Sequence, residues 1–384
     1  MITDGIKFNN FKIFKKSLKI KKQLELLLKK NNSIIQSLRS NYKDSFSLKK
    51  LKNFKKIKNL RLIGMGGSSL GAEAIYSFFR NKVKKNFLFV NDLDVTLKND
   101  KRINYLNLII SKSGETIETI TNSNILINKF DKNIFITENN KNYLLKLAEK
   151  LKAEVIEHNN FIGGRYSVLS ETGMLPAELM GLNSKKFRQL NNLVKNKRYI
   201  NALVSNVNSI LFFVKKKKYN SIILNYDQKS QGLFYWYQQL VAESLGKNKK
   251  GLLPIISNVP KDNHSVMQLY LDGIRNNFFT FFYVKENNST KLINSNIFNS
   301  KSYLKNKRIA DIIFAQKKST ENIFNKKKIP FRSFEILKRD EKTLGELFCF
   351  FILETILLGK AMNINPYNQP AVQLIKNKTK SILS

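Results

Sequence analysis

The sequence has one cysteine and two histidines, and these shortages exclude several kinds of site. Cys349 is the only cysteine in 384 residues, so it cannot form an internal disulfide or build a multi-cysteine zinc module. His158 and His264 are the only histidines, and with one cysteine they do not suggest a catalytic metal site. We therefore expect no metal, and a reducing compartment, the cytoplasm, suits the chain.

Long apolar runs are missing as well. Residues 1–22 mix single apolar residues with lysine and lack the continuous apolar segment of a secretory signal. The run LFCFFILETILLG near the other end is interrupted by Glu354 and is shorter than the roughly 20 residues that cross a bilayer. We expect this run to form a buried helix, and we expect neither export nor a membrane partner.

Acidic residues are scarce, because 28 Asp and Glu stand against 68 Lys and Arg, which gives a net charge of +40. A surplus of this sign is usual in proteins that bind nucleic acids. The 42% of hydrophobic residues nevertheless indicate a large core and exclude a disordered basic tail. Lysine also accompanies Asn, Ile and Phe in every segment. Our hypothesis is a bias of coding composition, and we expect no nucleic-acid partner.

Strands and helices alternate in two successive series. The predicted strands of the first series are Asn59–Gly66, Asn86–Val90, Leu106–Ser111, Ile134–Thr137 and Glu154–Glu157. Those of the second are Ser221–Tyr226, Phe278–Val284 and Pro330–Ile336, followed by a long helix at Glu341–Met362. This alternation predicts an α/β fold of two αβα sandwich domains with parallel sheets, and ligands at the carboxyl ends of the strands.

The same pattern predicts the domain boundaries. Apolar residues at Ile20, Leu24, Leu27 and Leu28 recur at helical spacing in the first segment. The predicted division is a helical arm at 1–45, a first α/β domain at 46–194, a second at 195–362 and a tail at 363–384. Two successive α/β units suggest related halves with a cleft between them.

Two loops rich in glycine and hydroxyl groups stand at equivalent junctions between a strand and a helix. GMGGSSLG at 64–71 lets the backbone approach a ligand closely, and a helix start offers free amides to an anion. SKSGETIET at 111–119 adds hydroxyls and a lysine, which suits a phosphate group. The first loop is also explained by tight packing, and the second by a capping box with Ser113 as the cap. Two such loops in one sheet favour an anion site.

These loops resemble those of the sugar isomerase domain. The later segments FIGGRYSVLSETGMLP, YWYQQLVAESLGK, NVPKDNHSVMQLYLDG and NPYNQPAVQLIK are similar, in the same order, to motifs of the phosphoglucose isomerase family. The resemblance extends over most of the chain, from about residue 62 to 376. It implies two sugar isomerase domains and the reversible isomerisation of glucose 6-phosphate and fructose 6-phosphate through a cis-enediolate, a step of glycolysis and gluconeogenesis. Such a reaction needs no cofactor, because the carbonyl group makes the neighbouring proton acidic.

The resemblance also implies roles for single residues. Glu243 carries the proton between C2 and C1, and Arg165 stabilises the negative enediolate. His264 and Lys376 assist ring opening. His264 is supplied by the other subunit, so that a homodimer is expected. The expected substrate-binding residues are Gly67, Ser68, Ser111, Lys112, Ser113, Thr116, Gln239 and Gln369.

Some of these residues also have a plain structural explanation. Gln239 and Glu243, four positions apart, could form a solvated pair on one helix face. Arg165 could be a surface ion-pair residue, and Lys376 is one lysine among many. His158 matches no functional position, so we expect a structural role at the end of a strand.

Two other functions stay open at this point. An isomerase that also accepts mannose 6-phosphate would need only a different contact at C2. A non-catalytic regulator that joins phosphosugar binding to nucleic-acid binding would explain the charge. Such a regulator predicts a helix-turn-helix module, which the sequence does not show, and it would have no reason to retain Glu243, His264 and Lys376.

Overall fold

The amino-terminal arm contains one strand as well as helices. The computed structural model of the protein describes residues 1–13, 18–30, 32–54, 56–98, 103–128, 130–286, 289–291 and 302–384. The elements of the arm and the segment after it are β1 (Ile6–Asn9), α1 (Leu18–Lys29), α2 (Ser33–Ser37) and α3 (Leu48–Leu51). Helix α1 buries Ile20, Leu24 and Leu27, as the apolar spacing predicts. Strand β1 differs from the predicted all-helical arm: it pairs antiparallel with the strand Phe331–Ile336 near the other end of the chain.

The first α/β unit is a five-stranded parallel sheet. Its elements are β2 (Asn59–Ile63), α4 (Leu70–Phe78), β3 (Asn86–Val90), β4 (Leu106–Ile110), α5 (Ile117–Leu126), β5 (Lys132–Thr137), α6 (Tyr143–Lys150) and β6 (Glu154–Glu157). The five predicted strands are therefore confirmed. The strand order β3-β2-β4-β5-β6 reverses direction between β2 and β4, and ligands of such sheets bind outside the carboxyl ends at this switch point.

The second sheet repeats this plan. The elements that lead to it and build it are α7 (Glu171–Leu179), α8 (Ser184–Phe187), α9 (Leu190–Leu193), α10 (Lys197–Lys215), β7 (Asn220–Asn225), α11 (Gln231–Leu245), β8 (Leu253–Asn258), α12 (Met267–Asp272), β9 (Asn277–Val284), α13 (Ile309–Lys326), β10 (Phe331–Ile336), α14 (Glu341–Ala361) and α15 (Pro370–Leu383). The order is β1-β10-β9-β7-β8, parallel except for β1. Without β1, it matches the order of the first four strands of the first sheet. The predicted fold of two parallel-sheet units is confirmed, whereas the exact domain boundaries stay a prediction.

Helix α11 lies between the two units and is fixed on both sides. It packs against α4 of the first unit and against α14. Helix α14 is buried continuously over 343–359, which agrees with the predicted buried helix. Two carboxylates lie in this buried stretch: Glu346 accepts a hydrogen bond from the hydroxyl of Thr3 at 2.6 Å, and Glu354 pairs with the buried Arg332 and accepts a hydrogen bond of 3.0 Å from Tyr237 of α11. Among the described helices, none combines the length and apolar composition that a bilayer-spanning segment requires.

An ion-pair cluster closes the carboxyl edge of the second sheet. Arg339, which follows β10, donates at 2.8 Å to Asp227 after β7 and at 2.7 and 3.0 Å to Glu286 after β9. The Lys229 ammonium lies 3.5 Å from the same Glu286 carboxylate. Since the strand order of this sheet reverses between β7 and β9, these side chains occupy its switch point.

Candidate active site

The first predicted anion loop, 64–71, touches two other sequence motifs. Gly66 has a φ of +53°, and a Cβ atom there would lie 2.7 Å from Nε2 of Gln239 on α11. A Cβ atom at Gly67 would lie 2.2 Å from the carbonyl carbon of Gly164. Only glycine permits this approach. The loop after β2 therefore meets the GGR motif and the helix that carries Gln239.

The second predicted loop follows β4 and presents hydroxyl groups at the start of α5. The hydroxyl oxygens of the buried Ser111 and the partly buried Thr116 lie 2.9 Å apart. Thr116 is the N-cap residue of α5, and its side chain makes no cap hydrogen bond. Ser113 Oγ accepts a hydrogen bond from the amide of Glu115 at 3.3 Å. Because Thr116 and not Ser113 is the N-cap residue, the alternative of a capping box with Ser113 as the cap is wrong, and the N-cap side chain leaves the first-turn amides of α5 uncapped.

Lys112 of this loop is already paired. Its Nζ donates to the carbonyl of Asn160 at 2.7 Å and lies 3.4 Å from Oε1 of Glu138. Glu138 directly follows β5, so its carboxylate is brought to Lys112 by the neighbouring strand. An incoming phosphate group would compete with this carboxylate for the lysine.

Arg165 connects the predicted catalytic residues. It lies in the 3-10 turn Gly164–Leu169, and its side chain is 1% exposed. Its Nη1 donates to Oε2 of Glu243 at 3.1 Å and to Oε1 of Gln369 at 2.7 Å. Its Nε donates to Oγ of Ser244 at 2.8 Å. Glu243, Arg165 and Gln369, predicted from three separate motifs, are thus brought together.

The backbone before α15 fixes the other end of the guanidinium. Nη2 of Arg165 donates to the carbonyls of Pro366 at 2.7 Å and Asn368 at 3.2 Å. The hydroxyl of Tyr166 donates to the carbonyl of Pro366 at 3.0 Å and lies 2.8 Å from Oγ of Ser244. All five N–H groups of Arg165 are therefore used. Tyr166 and Ser244 were not predicted, although both directly follow predicted site residues in their motifs.

The carboxylate of Glu243 is held by hydrogen bonds and is also partly exposed. Its Oε1 accepts a hydrogen bond from Nε2 of Gln239 at 2.9 Å, across one turn of α11. The Glu243 side chain is 29% exposed, in contrast to the buried Arg165. Oε1 of Gln239 is buried and has no hydrogen-bond partner in the described part of the chain. The arrangement can hold a polar molecule beside a carboxylate and a fixed positive charge.

The two histidines differ in exposure: His264 lies at the surface and His158 is buried. His264 is exposed in the 3-10 turn Lys261–His264 after β8, and no hydrogen bond joins it to Arg165 or Glu243. Its turn is held by Asp262, which accepts from the amide of Asn258 at 2.7 Å. His158 is buried at the end of β6, as a structural role predicts. Burial, with a smaller contribution from the charge of Lys112, lowers the pKa of His158 to about 4.

Lys376 is not brought to the cluster. It lies on α15, whose residues are all exposed, and it makes no hydrogen bond or ion pair within the described ranges. Only Gln369, the N-cap residue of this helix, reaches Arg165. In the same ranges, no group of three or more His, Cys, Asp and Glu side chains could hold a metal ion.

Comparisons with known proteins agree on one family. The family model described as phosphoglucose isomerase matches residues 24–384. The chain is 33% identical to the glucose-6-phosphate isomerase of Methanocaldococcus jannaschii, over 85% of this chain and 84% of that protein. It is 30% identical to the Campylobacter jejuni protein of the same name, over 88% of each.

Solved structures show the same fold. A hypothetical protein of Thermus thermophilus has a TM-score of 0.83 at 21% identity, over 95% of this chain and 94% of the other. The glucose-6-phosphate isomerase of Chlamydia trachomatis has a TM-score of 0.71 at 18% identity, over 98% of this chain and 80% of the other.

Proposed function

The chain belongs to the phosphoglucose isomerase family, and from this premise we propose that it interconverts glucose 6-phosphate and fructose 6-phosphate. The observation that carries the proposal is the partly exposed carboxylate of Glu243, held between Arg165 and Gln239. Glu243 lies one helical turn from Gln239, which contacts the glycine loop after β2. This loop and the loop after β4, both suited to an anion, lie at the switch point of the first sheet. The enzyme is an aldose–ketose isomerase.

The phosphate group binds at the start of α5. The free amides there and the positive end of the helix dipole favour an anion. Lys112 exchanges its contact with Glu138 for a phosphate oxygen. The residues proposed to hold the phosphate and the adjacent sugar atoms are Gly67, Ser68, Ser111, Lys112, Ser113 and Thr116.

Ring opening of glucose 6-phosphate breaks the bond between C1 and the ring oxygen, adds a proton to the ring oxygen and removes the hydroxyl proton from O1, so that the C1 carbonyl forms. His264 of the partner subunit exchanges the proton with the ring oxygen, and Lys376 assists. The exposure of His264 and the absence of a contact with Glu243 in its own chain support a position in the other subunit's site. Lys376 lies two helical turns beyond Gln369, and Gln369 binds Arg165, so α15 begins at the site. The proposed assembly is a homodimer with two sites. A cytoplasmic location, where phosphorylated sugars are retained, is part of the same proposal.

Proton transfer takes place on one face of the open-chain sugar. Glu243 removes the proton from C2, the C2–H electron pair forms the C1–C2 double bond, and the C1 carbonyl oxygen becomes negative. Arg165 stabilises this charge with a guanidinium that is already fixed, so no rearrangement is needed. Glu243 returns the proton to C1 while C2 becomes the carbonyl carbon, and the hydroxyl proton moves from O2 to O1. Gln239 and Gln369 orient the sugar hydroxyls.

An assay with fructose 6-phosphate tests the proposal. Glu243→Gln keeps the shape of the side chain and removes the base, so kcat should fall by about 10²–10⁴. Glu149→Gln, an exposed position on α6, is the matched control and should keep the wild-type rate. Absence of turnover by the wild-type protein would reject the enzyme, and a full rate in Glu243→Gln would reject the base. The same assay with mannose 6-phosphate distinguishes a dual-specificity enzyme.

A further inference from the structure

The turn after α11 holds the segment that leads to Gln369. Nζ of Lys247 donates to the carbonyl of Asn368 at 2.5 Å, and Nζ of Lys250 donates to the carbonyl of Met362 at 3.2 Å. The two lysines are joined by backbone hydrogen bonds of 2.9 and 3.1 Å. The segment 362–369, which we call the tail loop, is therefore held near both ends by one turn.

Lys247 shares its acceptor with the central arginine of the site. The carbonyl of Asn368 accepts from Lys247 and also from Nη2 of Arg165, at 3.2 Å. The next residue, Gln369, accepts from Nη1 of the same guanidinium. A shift of the Asn368 carbonyl would therefore disturb two of the five hydrogen bonds of Arg165.

We propose that Lys247 is a positioning residue of the active site: by binding the Asn368 carbonyl, it fixes Gln369 and the guanidinium of Arg165. The inference rests on the proposed function, because it concerns the same site. Lys247 lies four residues after Glu243, in the turn that begins where α11 ends. The helix that carries Glu243 therefore also places Lys247 beside the tail loop. Lys247 acts through the tail loop, whereas Lys250 holds the other end of the loop away from Arg165.

The charge of Lys247 is sensitive to mildly alkaline pH. Burial and the neighbouring charge of Arg165 lower the pKa of Lys247 to about 8, although Glu243 opposes this shift. The groups that face it are Arg165 from the 3-10 turn, Glu243 from its own helix, and the Asn368 carbonyl from the tail loop. The charged donor is present below pH 8 and is lost above it, so the contact should weaken as the pH rises.

Three variants test the proposal in the isomerase assay. Lys247→Met removes the donor and should lower kcat/KM about 10- to 100-fold at pH 7, the range for a lost hydrogen bond to a charged group. The wild-type kcat/KM should fall near pH 8, where Lys247 loses its charge. In Lys247→Met this fall should disappear. Lys247→Arg retains a permanent charge and should restore activity and move the fall to higher pH. The exposed Lys249→Met, in the same turn, should keep the wild-type profile.

Hydrogen–deuterium exchange tests the contact without relying on activity. Amides of the tail loop should exchange faster in Lys247→Met than in the wild type, with no change in Lys249→Met. An unchanged exchange rate, or a wild-type pH profile in Lys247→Met, would overturn the role of Lys247. If the wild type had no isomerase activity, the proposed function would fail and with it the role of Lys247 in catalysis, while the exchange data would still decide the contact.

Discussion

His158 and His264 differ in burial, and the difference predicts a pH dependence of stability. The pKa of the buried His158 is about 4, and that of an unfolded histidine is about 6.5. Between these values the unfolded chain binds more protons than the folded chain, so stability is lost as the pH falls through this window. The contribution is about 1.4 kcal/mol per pH unit, or about 2 kcal/mol from pH 6.5 to 5.

Urea unfolding of His158→Asn at pH 6.5 and 5 measures this contribution. Asn can replace the hydrogen bond of Nδ1 to the Asn159 carbonyl, at 3.0 Å, and it does not titrate. The loss of stability between the two pH values should therefore be about 2 kcal/mol smaller than in the wild type. The exposed His264→Asn should keep the wild-type loss. Equal losses in all three proteins would show that His158 is not neutral in the folded state.

Residues of the candidate site could be predicted from the sequence where they lie in a motif that resembles one of the family. Arg165, Glu243, Gln239 and Gln369 lie in contact, because each occupies its position in a matched motif. The pairing of Lys112 with Glu138 was not predictable, since it depends on two strands lying side by side. The carbonyl contacts of Arg165 were missed for a similar reason: backbone oxygens have no signature in a sequence.

At the scale of elements, the contact between the glycine loop and the GGR turn predicts that one added methyl group lowers both the stability and the activity of the protein. Gly67→Ala places a Cβ atom 2.2 Å from the backbone of Gly164, so the two segments must separate. We expect a loss of about 1–3 kcal/mol in the free energy of unfolding and lower isomerase activity. Gly163→Ala is the control, because its Cβ would meet only Tyr166, at 3.9 Å. Thermal unfolding of both variants checks this, and equal midpoints would contradict the close contact.

The strands of the first sheet and the long apolar helix were predicted well, whereas two edge strands of the second sheet were missed. The strands at 86–90 and 154–157 have the predicted limits, and the buried helix α14 differs from its prediction by one residue. Strand β8 was missed because it contains Pro254, which is tolerated at the edge of a sheet. Strand β1 has four residues, and its pairing partner Ile336 is more than 300 positions from Ile6. Local patterns cannot specify such a partner.

At the scale of the whole molecule, a mixture of two inactive variants tests the proposed homodimer. Glu243→Gln and His264→Gln should each be inactive alone. In a hybrid dimer, one site contains both substitutions and the other contains neither. Random reassociation makes half of the dimers hybrids, so the mixture should regain about a quarter of the wild-type activity.

Co-refolding of the two variants, with each variant refolded alone as the control, provides the measurement. No recovery in the mixture would show that His264 and Glu243 act in the same subunit. The test needs no assumption about the interface, because only the exchange of subunits matters.

The ion-pair cluster at the second sheet predicts how many sugar phosphates one chain binds. Two units with the same strand order offer two equivalent places for an anion, one at each switch point. In the second unit, Arg339 donates three hydrogen bonds of 2.7–3.0 Å to Asp227 and Glu286, and Lys229 lies 3.5 Å from Glu286, whereas Lys112 at the first switch point has a single carboxylate at 3.4 Å to exchange for a phosphate. The binding stoichiometry should therefore be one sugar phosphate per chain. On this expectation, a fold with two similar units has one ligand site, and the contribution of the second unit to that site is Glu243 on α11.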